Sequence, residues 1–302
     1  MSIPLKSEVL RKLMIGFLRE DVGSGDLTTN SIIPATARAH GLIIAKQDCV
    51  LAGLGLLPFA FKALDPSIRV EYFFGDGQKV AKGQPVASVN GRARTLLTGE
   101  RVALNVLQRL SGIATLTHEF VQAVRGTRAR IYDTRKTTPG WRMLEKYAVR
   151  CGGGHNHRLG LFDAILIKDN HLAFAGGVRA AVERARKKTL GSPDLELEVS
   201  TLDQLREALA LRVSHILLDN MTPRQVRRCV ELIRKRPGGK RVIVECSGGI
   251  SLRSVRSFAE AGADWISVGA LTHSAPAVDI SFEMDSRKPG RIPGDAGPGR
   301  SV

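Results

Sequence analysis

Six short apolar segments alternate with helical stretches in the second half of the chain, and this alternation restricts the fold more than any other feature. The segments have the length of buried strands: Ile131–Tyr132, Ala164–Ile167, Leu195–Val199, His215–Leu218, Val242–Glu245 and Trp265–Val268. Capping boxes at Thr201/Gln204 and Thr222/Gln225 predict helices in two of the intervals. Because each helix returns the chain to the same edge, the pattern predicts a parallel sheet, either a barrel or an open doubly wound sheet.

Polar residues and glycines mark the ends of these strands. In strand order they are Asp133, Arg135 and Lys136; Lys168 and Asp169; Glu198; Asp219; Glu245 with Ser247, Gly248 and Gly249; and Gly269. The carboxyl ends of parallel strands meet at one edge, where α/β folds place their active sites. The sequence therefore predicts a catalytic cleft at this edge and argues against a scaffold without catalysis.

The chain is most basic between Arg125 and Arg158, where nine lysines and arginines accompany only two acids. Several of these cations lie on glycine-rich loops next to His155 and His157, an arrangement that suits a small, highly charged anion. The net charge of +16 also predicts an anionic partner, either nucleic acid or a phosphorylated small molecule. Aromatic residues are 5% of the chain and no nucleic-acid-binding motif is recognisable, which argues against nucleic acid.

The first part of the chain predicts a mixed α+β region. Its expected elements are a helix over 6–20, a polar loop over Glu20–Thr29, a strand over 37–50, a helix over Leu54–Leu64, a strand over 69–74, hairpins over Asp76–Gly91 and a helix over Gly99–Val124. The sequence shows no signal-peptide pattern and no apolar run of membrane-spanning length. Four widely spaced cysteines without a CxxC pair predict a reduced, cytoplasmic protein.

Long stretches of this sequence resemble the quinolinate phosphoribosyltransferase family from about Glu20 to Met284. They read EDVGSGDLTT, ERVALNVLQRLSGIAT, DTRKTTPG, EKYAVRCGGGHNHRLGLFDAILIKDNH, LLDNM, SGGI and ISVGALTHS. The resemblance implies an N-terminal α+β domain over 1–110, rejoined by 270–285, and an incomplete parallel α/β barrel over 111–269. It also implies a homodimer, or a higher oligomer, with shared active sites. The glycine-, proline- and arginine-rich tail over 286–302 is expected to be disordered.

The same resemblance implies transfer of phosphoribosyl from phosphoribosyl pyrophosphate to quinolinate, with decarboxylation to nicotinate mononucleotide. Arg135, Arg158 and, from the neighbouring subunit, Arg101 would hold quinolinate carboxylates, and Lys136, His157 and Lys168 would complete the basic pocket. Glu198 and Asp219 would face the ribose and a Mg²⁺ ion, directly or indirectly. Ser247, Gly248, Gly249 and Gly269 would donate backbone N–H groups to the 5′-phosphate. Lys136, Lys168, Glu198 and Asp219 are the expected catalytic residues.

Ser200 stands where the family pattern carries an acid, although Glu198 keeps its place. Cys151, His155 and His157 are spaced like metal ligands, but they lack a fourth ligand and the family implies no metal there. A structural role for His155 stays open.

Two alternative functions remain at this point. The first is a related type II phosphoribosyltransferase that acts on nicotinate or another aromatic acid, and an assay with both acids separates the two. The second is a basic nucleic-acid-binding protein, which salt-dependent binding to DNA or RNA would reveal.

Overall fold

The computed structural model describes residues 3–188 and 195–285, which form two compact units. The first unit comprises residues 3–111 and 277–285, and the second comprises residues 112–188 and 195–276. The tail over 286–302, for which disorder is predicted, lies outside the described residues.

The first unit contains most of its elements before residue 112. They are α1 (Ser7–Val22), α2 (Leu27–Ile32), β1 (Arg38–Ala45), β2 (Cys49–Val50), α3 (Leu57–Lys62), β3 (Arg69–Tyr72), β4 (Lys79–Val80), β5 (Pro85–Arg92) and the long α4 (Ala93–Ala123), which continues into the second unit.

The second unit alternates strands with helices. Its elements are β6 (Arg130–Tyr132), α5 (Arg142–Cys151), β7 (Ile165–Ile167), α6 (Asp169–Ala175), α7 (Val178–Lys188), β8 (Leu195–Val199), α8 (Leu202–Ala210), β9 (His215–Asp219), α9 (Pro223–Arg234), β10 (Ile243–Ser247), α10 (Leu252–Glu260), β11 (Trp265–Ser267) and α11 (Ala270–His273). The last strand, β12 (Ile280–Asp285), belongs to the first unit.

The six strands of the second unit form one parallel sheet in the order β6-β11-β10-β9-β8-β7. The first strand pairs with the last, which is the closure of a barrel and not of an open doubly wound sheet. Within the described residues, no strand pairing joins β6 to β7, so the barrel is incomplete there. This confirms the predicted incomplete α/β barrel, and the capping boxes at Thr201 and Thr222 are confirmed as well.

The two faces of this sheet differ in character. Leu197, Ile216 and Val244 pair across three neighbouring strands and are fully buried. Successive side chains of a strand point to opposite faces, so the residues on either side of these three line the other face. There the strands carry Glu196, His215 and Glu245, all of them buried. One face is an ordinary apolar core, whereas the other is unusually polar.

The first unit contains a four-stranded antiparallel sheet in the order β12-β1-β5-β3. At its centre Gly41 packs against the ring of Phe282, and a Cβ atom at Gly41 would lie 2.2 Å from that ring. The ring of Phe282 lies 6.0 Å from that of Phe61 on α3, between ring centroids. The predicted α+β character of this region is confirmed.

Some local predictions in the first unit are wrong. The stretch Glu20–Thr29 is not a continuous loop, because α1 extends to Val22 and α2 begins at Leu27. The carboxylate of Asp26 accepts the N–H of Thr29 at 2.9 Å, which is the N-cap bond that starts α2. The predicted strand over 37–50 is two strands separated by a turn, and α4 begins at Ala93 instead of Gly99.

No helix among the described residues is both long enough and apolar enough to cross a membrane. All four cysteines are buried and free of disulfide bonds.

Candidate active site

The carboxyl ends of the barrel strands surround a cavity of about 400 Å³. Its lining residues are Thr134, Arg135, Lys136, His157, Arg158, Leu166, Lys168, Glu198, Leu217, Asp219, Asn220, Glu245, Ser247, Gly248, Gly249 and Ser267. The structure thus brings together ten of the twelve predicted site residues, all except Arg101 and Gly269. A second cavity of about 410 Å³ shares Arg135, Arg158, Leu166 and Lys168 with the first, so the two form one cleft.

Three cations of the cleft have no carboxylate partner in the described part of the chain. Across residues 3–188 and 195–285, no carboxylate forms a salt bridge with Arg135, Lys136 or Arg158. Burial and the nearby Arg135 cation lower the pKa of Arg158, although Glu196 and Asp163 act against this. Unpaired cations that repel one another across a cavity gain most from a bound anion, so this end of the cleft is the candidate anion site.

The opposite wall of the cleft carries two carboxylates from adjacent strands. Glu198 on β8 is buried and accepts a hydrogen bond from the ammonium of Lys168, which follows β7. Asp219 ends β9 and accepts a hydrogen bond from the side-chain amide of Asn220 at 2.7 Å. Glu198 is in register with Leu217, two residues before Asp219, so both carboxylates belong to the inner face. Ser200, the departure from the family pattern, donates its N–H to Gln204 at the start of α8 at 2.8 Å.

A tight glycine turn after β10 completes this wall. Gly248 and Gly249 have φ values of +99° and +61°, a left-handed region that side chains disfavour. A Cβ atom on Gly248 would lie 2.2 Å from Oδ1 of Asn220, so the turns after β9 and β10 pack too closely for any other residue. Gly269 lies elsewhere: a Cβ atom there would be 3.1 Å from Cδ of Lys136. It does not line the cavity, and its lack of a side chain leaves room for Lys136.

His155 and its neighbours extend the free edge of β6. The N–H of His155 donates to the carbonyl of Ile131 at 2.8 Å, and the N–H of Asp133 donates to the carbonyl of His155 at 3.0 Å. The His155 ring stacks on Tyr132, with 5.2 Å between ring centroids. His155 therefore has a structural place at the sheet edge, and the chain after it leads His157 and Arg158 to the cleft.

A buried ion pair anchors the same loop. The carboxylate of Asp133 accepts hydrogen bonds from the ammonium of Lys146, the N–H of His157 at 2.8 Å and the amide of Asn156 at 2.6 Å. Asp133 and Lys146 are 0% and 1% exposed. Burial raises the pKa of Asp133 and lowers the pKa of Lys146, which in both cases means that burial disfavours the charged form. The ion pair fixes the loop, but its burial removes two charges from water, which costs desolvation free energy.

Replacing Lys146 by methionine is expected to lower the free energy of unfolding by about 3–5 kcal/mol, because it leaves the Asp133 charge buried without a partner. Denaturant unfolding measures the change. The double variant Asp133→Asn/Lys146→Met removes both charges and is expected to recover most of the loss. A double variant no more stable than Lys146→Met would contradict this explanation.

His157 joins three buried residues, Glu196, His215 and Glu245, that are not among the predicted site residues, although Glu245 is one of the polar residues noted at the strand ends. Its Nε2 lies 3.1 Å from Glu196 Oε2 and 3.4 Å from Glu245 Oε2. Glu245 Oε2 also lies 2.9 Å from His215 Nε2, and its Oε1 accepts the hydroxyl of Ser267 at 2.6 Å. One signal was available: Glu196 is two residues before Glu198 in LELEV, and charged residues are rare within buried parallel strands.

The electrostatics of this set follow from two opposing effects. Burial acts to lower the pKa of His157, but hydrogen bonds to Glu196 and Glu245 outweigh burial and raise the pKa above its usual value. The N–H of Arg158 donates to Nδ1 at 2.8 Å and so requires a lone pair on that nitrogen, which leaves the ring proton on Nε2. Burial likewise acts to raise the pKa of Glu245, but hydrogen bonds from His157 and His215 lower it below the usual range. Nε2 of His157 and one carboxylate oxygen from each of Glu196 and Glu245 lie within 4.8 Å of one another. A proton on Nε2 accounts for this close approach.

Arg101 is the predicted site residue that belongs to the first unit. It lies on α4, its side chain is 59% exposed, and its guanidinium is 3.9 Å from the carboxylate of Glu100. Its role in a site shared between subunits stays a prediction.

Comparison with known proteins identifies relatives over nearly the whole chain. The family described as "Quinolinate phosphoribosyl transferase, N-terminal domain" matches residues 26–111, and its C-terminal domain matches residues 113–283. The Mycobacterium leprae "Nicotinate-nucleotide pyrophosphorylase [carboxylating]" is 44% identical over 275 residues, which are 88% of this chain and 94% of that protein.

Solved structures extend the comparison. The nicotinate-nucleotide pyrophosphorylase from Francisella tularensis superposes with a TM-score of 0.88 at 36% identity, over 94% of this chain and 98% of that one. Human nicotinic acid phosphoribosyltransferase superposes with a TM-score of 0.56 at 12% identity, over 93% and 74% of the two chains. The second likeness concerns the fold alone.

Proposed function

The chain belongs to the quinolinate phosphoribosyltransferase family, and on that premise we propose how its cleft carries out the family's reaction. It is an enzyme of NAD biosynthesis that transfers phosphoribosyl from phosphoribosyl pyrophosphate to the ring nitrogen of quinolinate. Loss of the 2-carboxylate as CO₂ then gives nicotinate mononucleotide and pyrophosphate. The observation that carries our assignment of the cleft is the set of unpaired cations, Arg135, Lys136 and Arg158, opposite the carboxylates of Glu198 and Asp219.

Quinolinate is assigned to the end of the cleft where the two cavities meet. Arg135, Arg158 and Lys168 line both cavities, so they reach an anion from either side. Guanidinium groups match carboxylates in bidentate geometry, and quinolinate carries two carboxylates on one flat ring. Leu166 lines both cavities as well and supplies an apolar surface for the ring. Binding here would orient the ring nitrogen toward the carboxylate wall.

Phosphoribosyl pyrophosphate is assigned to the wall formed by β8, β9 and β10. Glu198 and Asp219 would accept hydrogen bonds from the ribose hydroxyls and stabilise the positive charge that develops on the ribose ring as pyrophosphate departs. The backbone N–H groups of the Ser247–Gly249 turn suit the 5′-phosphate. Lys136 and Lys168 would hold the departing pyrophosphate, since an ammonium stabilises the charge that it acquires.

Decarboxylation needs little acid catalysis. Once the ring nitrogen is ribosylated it is cationic, and it stabilises the carbanion that forms at the adjacent carbon when CO₂ leaves. The carbanion then takes a proton from water, which completes nicotinate mononucleotide, so the chain mainly has to hold the ring in place.

Magnesium is part of the proposal, as an ion carried on the pyrophosphate. Glu198 and Asp219 offer the hard oxygen atoms that Mg²⁺ prefers. In the structure Glu198 is already bonded to Lys168 and Asp219 to Asn220, which fits contact through the water shell of the ion. When bound, the ion would neutralise pyrophosphate charge.

A homodimer with shared sites is supported by large apolar side chains that the single chain leaves exposed. In the second unit Leu161, Phe162 and Phe174 are 75%, 84% and 93% exposed, and in the first unit Leu27 and Ile32 are 82% and 70% exposed. Leu161 and Phe162 are neighbours in the chain, and adjoining exposed apolar side chains that form a patch mark contacts between proteins. The high exposure of Arg101 fits its proposed contact with quinolinate in a second copy of the chain.

Mixing two inactive variants tests the shared site. Arg101→Ala and Lys136→Ala are each expected to be inactive, whereas co-expression of both regains about one quarter of wild-type activity, because half of the dimers then contain one intact site. Absence of any regained activity in verified mixed dimers would show that Arg101 serves its own subunit.

The cytoplasm is the proposed location. Four buried, free cysteines suit a reducing compartment.

The proposed reaction is tested by product formation from quinolinate and phosphoribosyl pyrophosphate, with and without Mg²⁺. We expect nicotinate mononucleotide and CO₂ in equal amounts, loss of activity in a chelator, and no turnover of nicotinate. Turnover of nicotinate in place of quinolinate would instead assign the chain to a related reaction.

A further inference from the structure

Both ring nitrogens of His157 are occupied by the protein itself. Nε2 faces the carboxylates of Glu196 and Glu245, at 3.1 Å and 3.4 Å. The backbone N–H of Arg158 donates to Nδ1 at 2.8 Å. His157 lines the cleft, but its nitrogens are directed at other groups of the chain, so the imidazole links the buried carboxylates to the backbone of Arg158.

These two hydrogen bonds define the orientation of the ring. An N–H that donates to Nδ1 requires the lone pair there, and the carboxylates require a proton on Nε2. A flipped or rotated imidazole would lose both bonds at once. The ring therefore fixes the backbone amide of Arg158 only while a carboxylate bonded to Nε2 fixes the ring.

Of the two carboxylates that face Nε2 of His157, Glu196 makes fewer other hydrogen bonds. Glu245 is also bonded to His215 and Ser267, so its position is already determined. Glu196 is 3% exposed, and across residues 3–188 and 195–285 its Oε1 has no hydrogen-bond partner. Its one described polar contact is with Nε2 of His157. A buried carboxylate with a single partner is expected to restrain that partner strongly, because the alternative is an unpaired charge.

We propose that Glu196, with Glu245 beside it, is a positioning residue that places Arg158 for quinolinate by fixing the imidazole of His157. The carboxylate bonds Nε2, the ring then presents Nδ1 to the Arg158 amide, and the guanidinium of Arg158 reaches the cleft from a defined backbone. This role rests on the proposed function, since it concerns the site assigned to quinolinate. It extends the site one layer below the cavity, to a residue that does not line it.

Two substitutions of Glu196 separate positioning from bulk structure. Glu196→Gln keeps an oxygen that accepts from Nε2, whereas Glu196→Leu keeps the volume and removes the acceptor. We expect Glu196→Leu to raise the KM for quinolinate about tenfold or more, while Glu196→Gln and the KM for phosphoribosyl pyrophosphate change by less than about threefold. Glu207→Leu is the control, because Glu207 is another carboxylate of the second unit that accepts one hydrogen bond, from the backbone N–H of Arg179 at 3.2 Å, but lies outside this network.

A measurement independent of turnover accompanies the kinetics. Nitrogen NMR of the His157 ring and of the Arg158 amide is expected to show the altered hydrogen bond in Glu196→Leu but not in Glu196→Gln or Glu207→Leu. Unchanged signals in Glu196→Leu, or equal changes in KM for both substrates, would overturn the positioning role. If the wild-type enzyme made no product from quinolinate, the proposed function would fail, and the NMR signals would still decide whether Glu196 fixes His157 and Arg158.

Discussion

Replacing Lys136 by alanine is expected to lower kcat at least about a hundredfold, which is the effect of removing one preorganised electrostatic group from an active site. Lys136 lines the cleft, and within the described residues its ammonium has no carboxylate partner. Its charge is therefore available to the departing pyrophosphate. The side chain is exposed, so its loss leaves no cavity and the fold is expected to persist.

Steady-state rates with both substrates measure this effect, and thermal unfolding checks that the variant is folded. Lys240→Ala is the matched control, because Lys240 is also an exposed lysine of the second unit but does not line the cleft. The control is expected to keep wild-type rates. A Lys136→Ala variant with near-normal kcat would refute the role proposed for this lysine.

Replacing Arg158 by alanine is expected to lower kcat/KM for quinolinate roughly 30- to 5,000-fold, because a charged partner of the carboxylate is lost. This range corresponds to a loss of about 2–5 kcal/mol of transition-state stabilisation. Arg158 has no carboxylate partner within the described residues and lines both parts of the cleft. Calorimetric titration with quinolinate measures the loss of binding directly. The affinity for phosphoribosyl pyrophosphate alone is expected to change much less.

Arg158→Lys tests whether charge or geometry matters at this position. Lysine keeps the charge but lacks the planar fork that bonds both oxygens of a carboxylate. We expect it to recover only a small part of the affinity. Equal losses for both substrates in Arg158→Ala would contradict the assignment of Arg158 to quinolinate.

Much of the cleft could be predicted from the sequence because its residues follow strands. Lys136, Lys168, Glu198, Asp219 and the Ser247–Gly249 turn all come at or just after an apolar segment, and parallel strands bring such positions to one edge. The predictions that were wrong lie in the first unit, at Glu20–Thr29 and 37–50, where short elements meet at turns. Single capping or turn residues decide such boundaries, and composition over a window does not resolve them.

The buried network could not be predicted in the same way. Glu196 lies inside β8 and His215 begins β9, so neither is at the carboxyl end of a strand, and the strand-end position of Glu245 does not indicate which residues it contacts. Their meeting with His157 depends on the register of β8, β9 and β10 and on the path of the loop that follows α5.

The sequence by itself therefore determined the alternation of strands and helices, the family, and the polar residues at the strand ends, because each of these is written in neighbouring residues. Only the tertiary structure decided that β6 pairs with β11, that Gly269 leaves room for Lys136, and that Nε2 of His157 faces the buried carboxylates of Glu196 and Glu245. These relations join residues far apart in the chain. They arise from strand register and from the need of buried charges for partners, which act once the chain is folded.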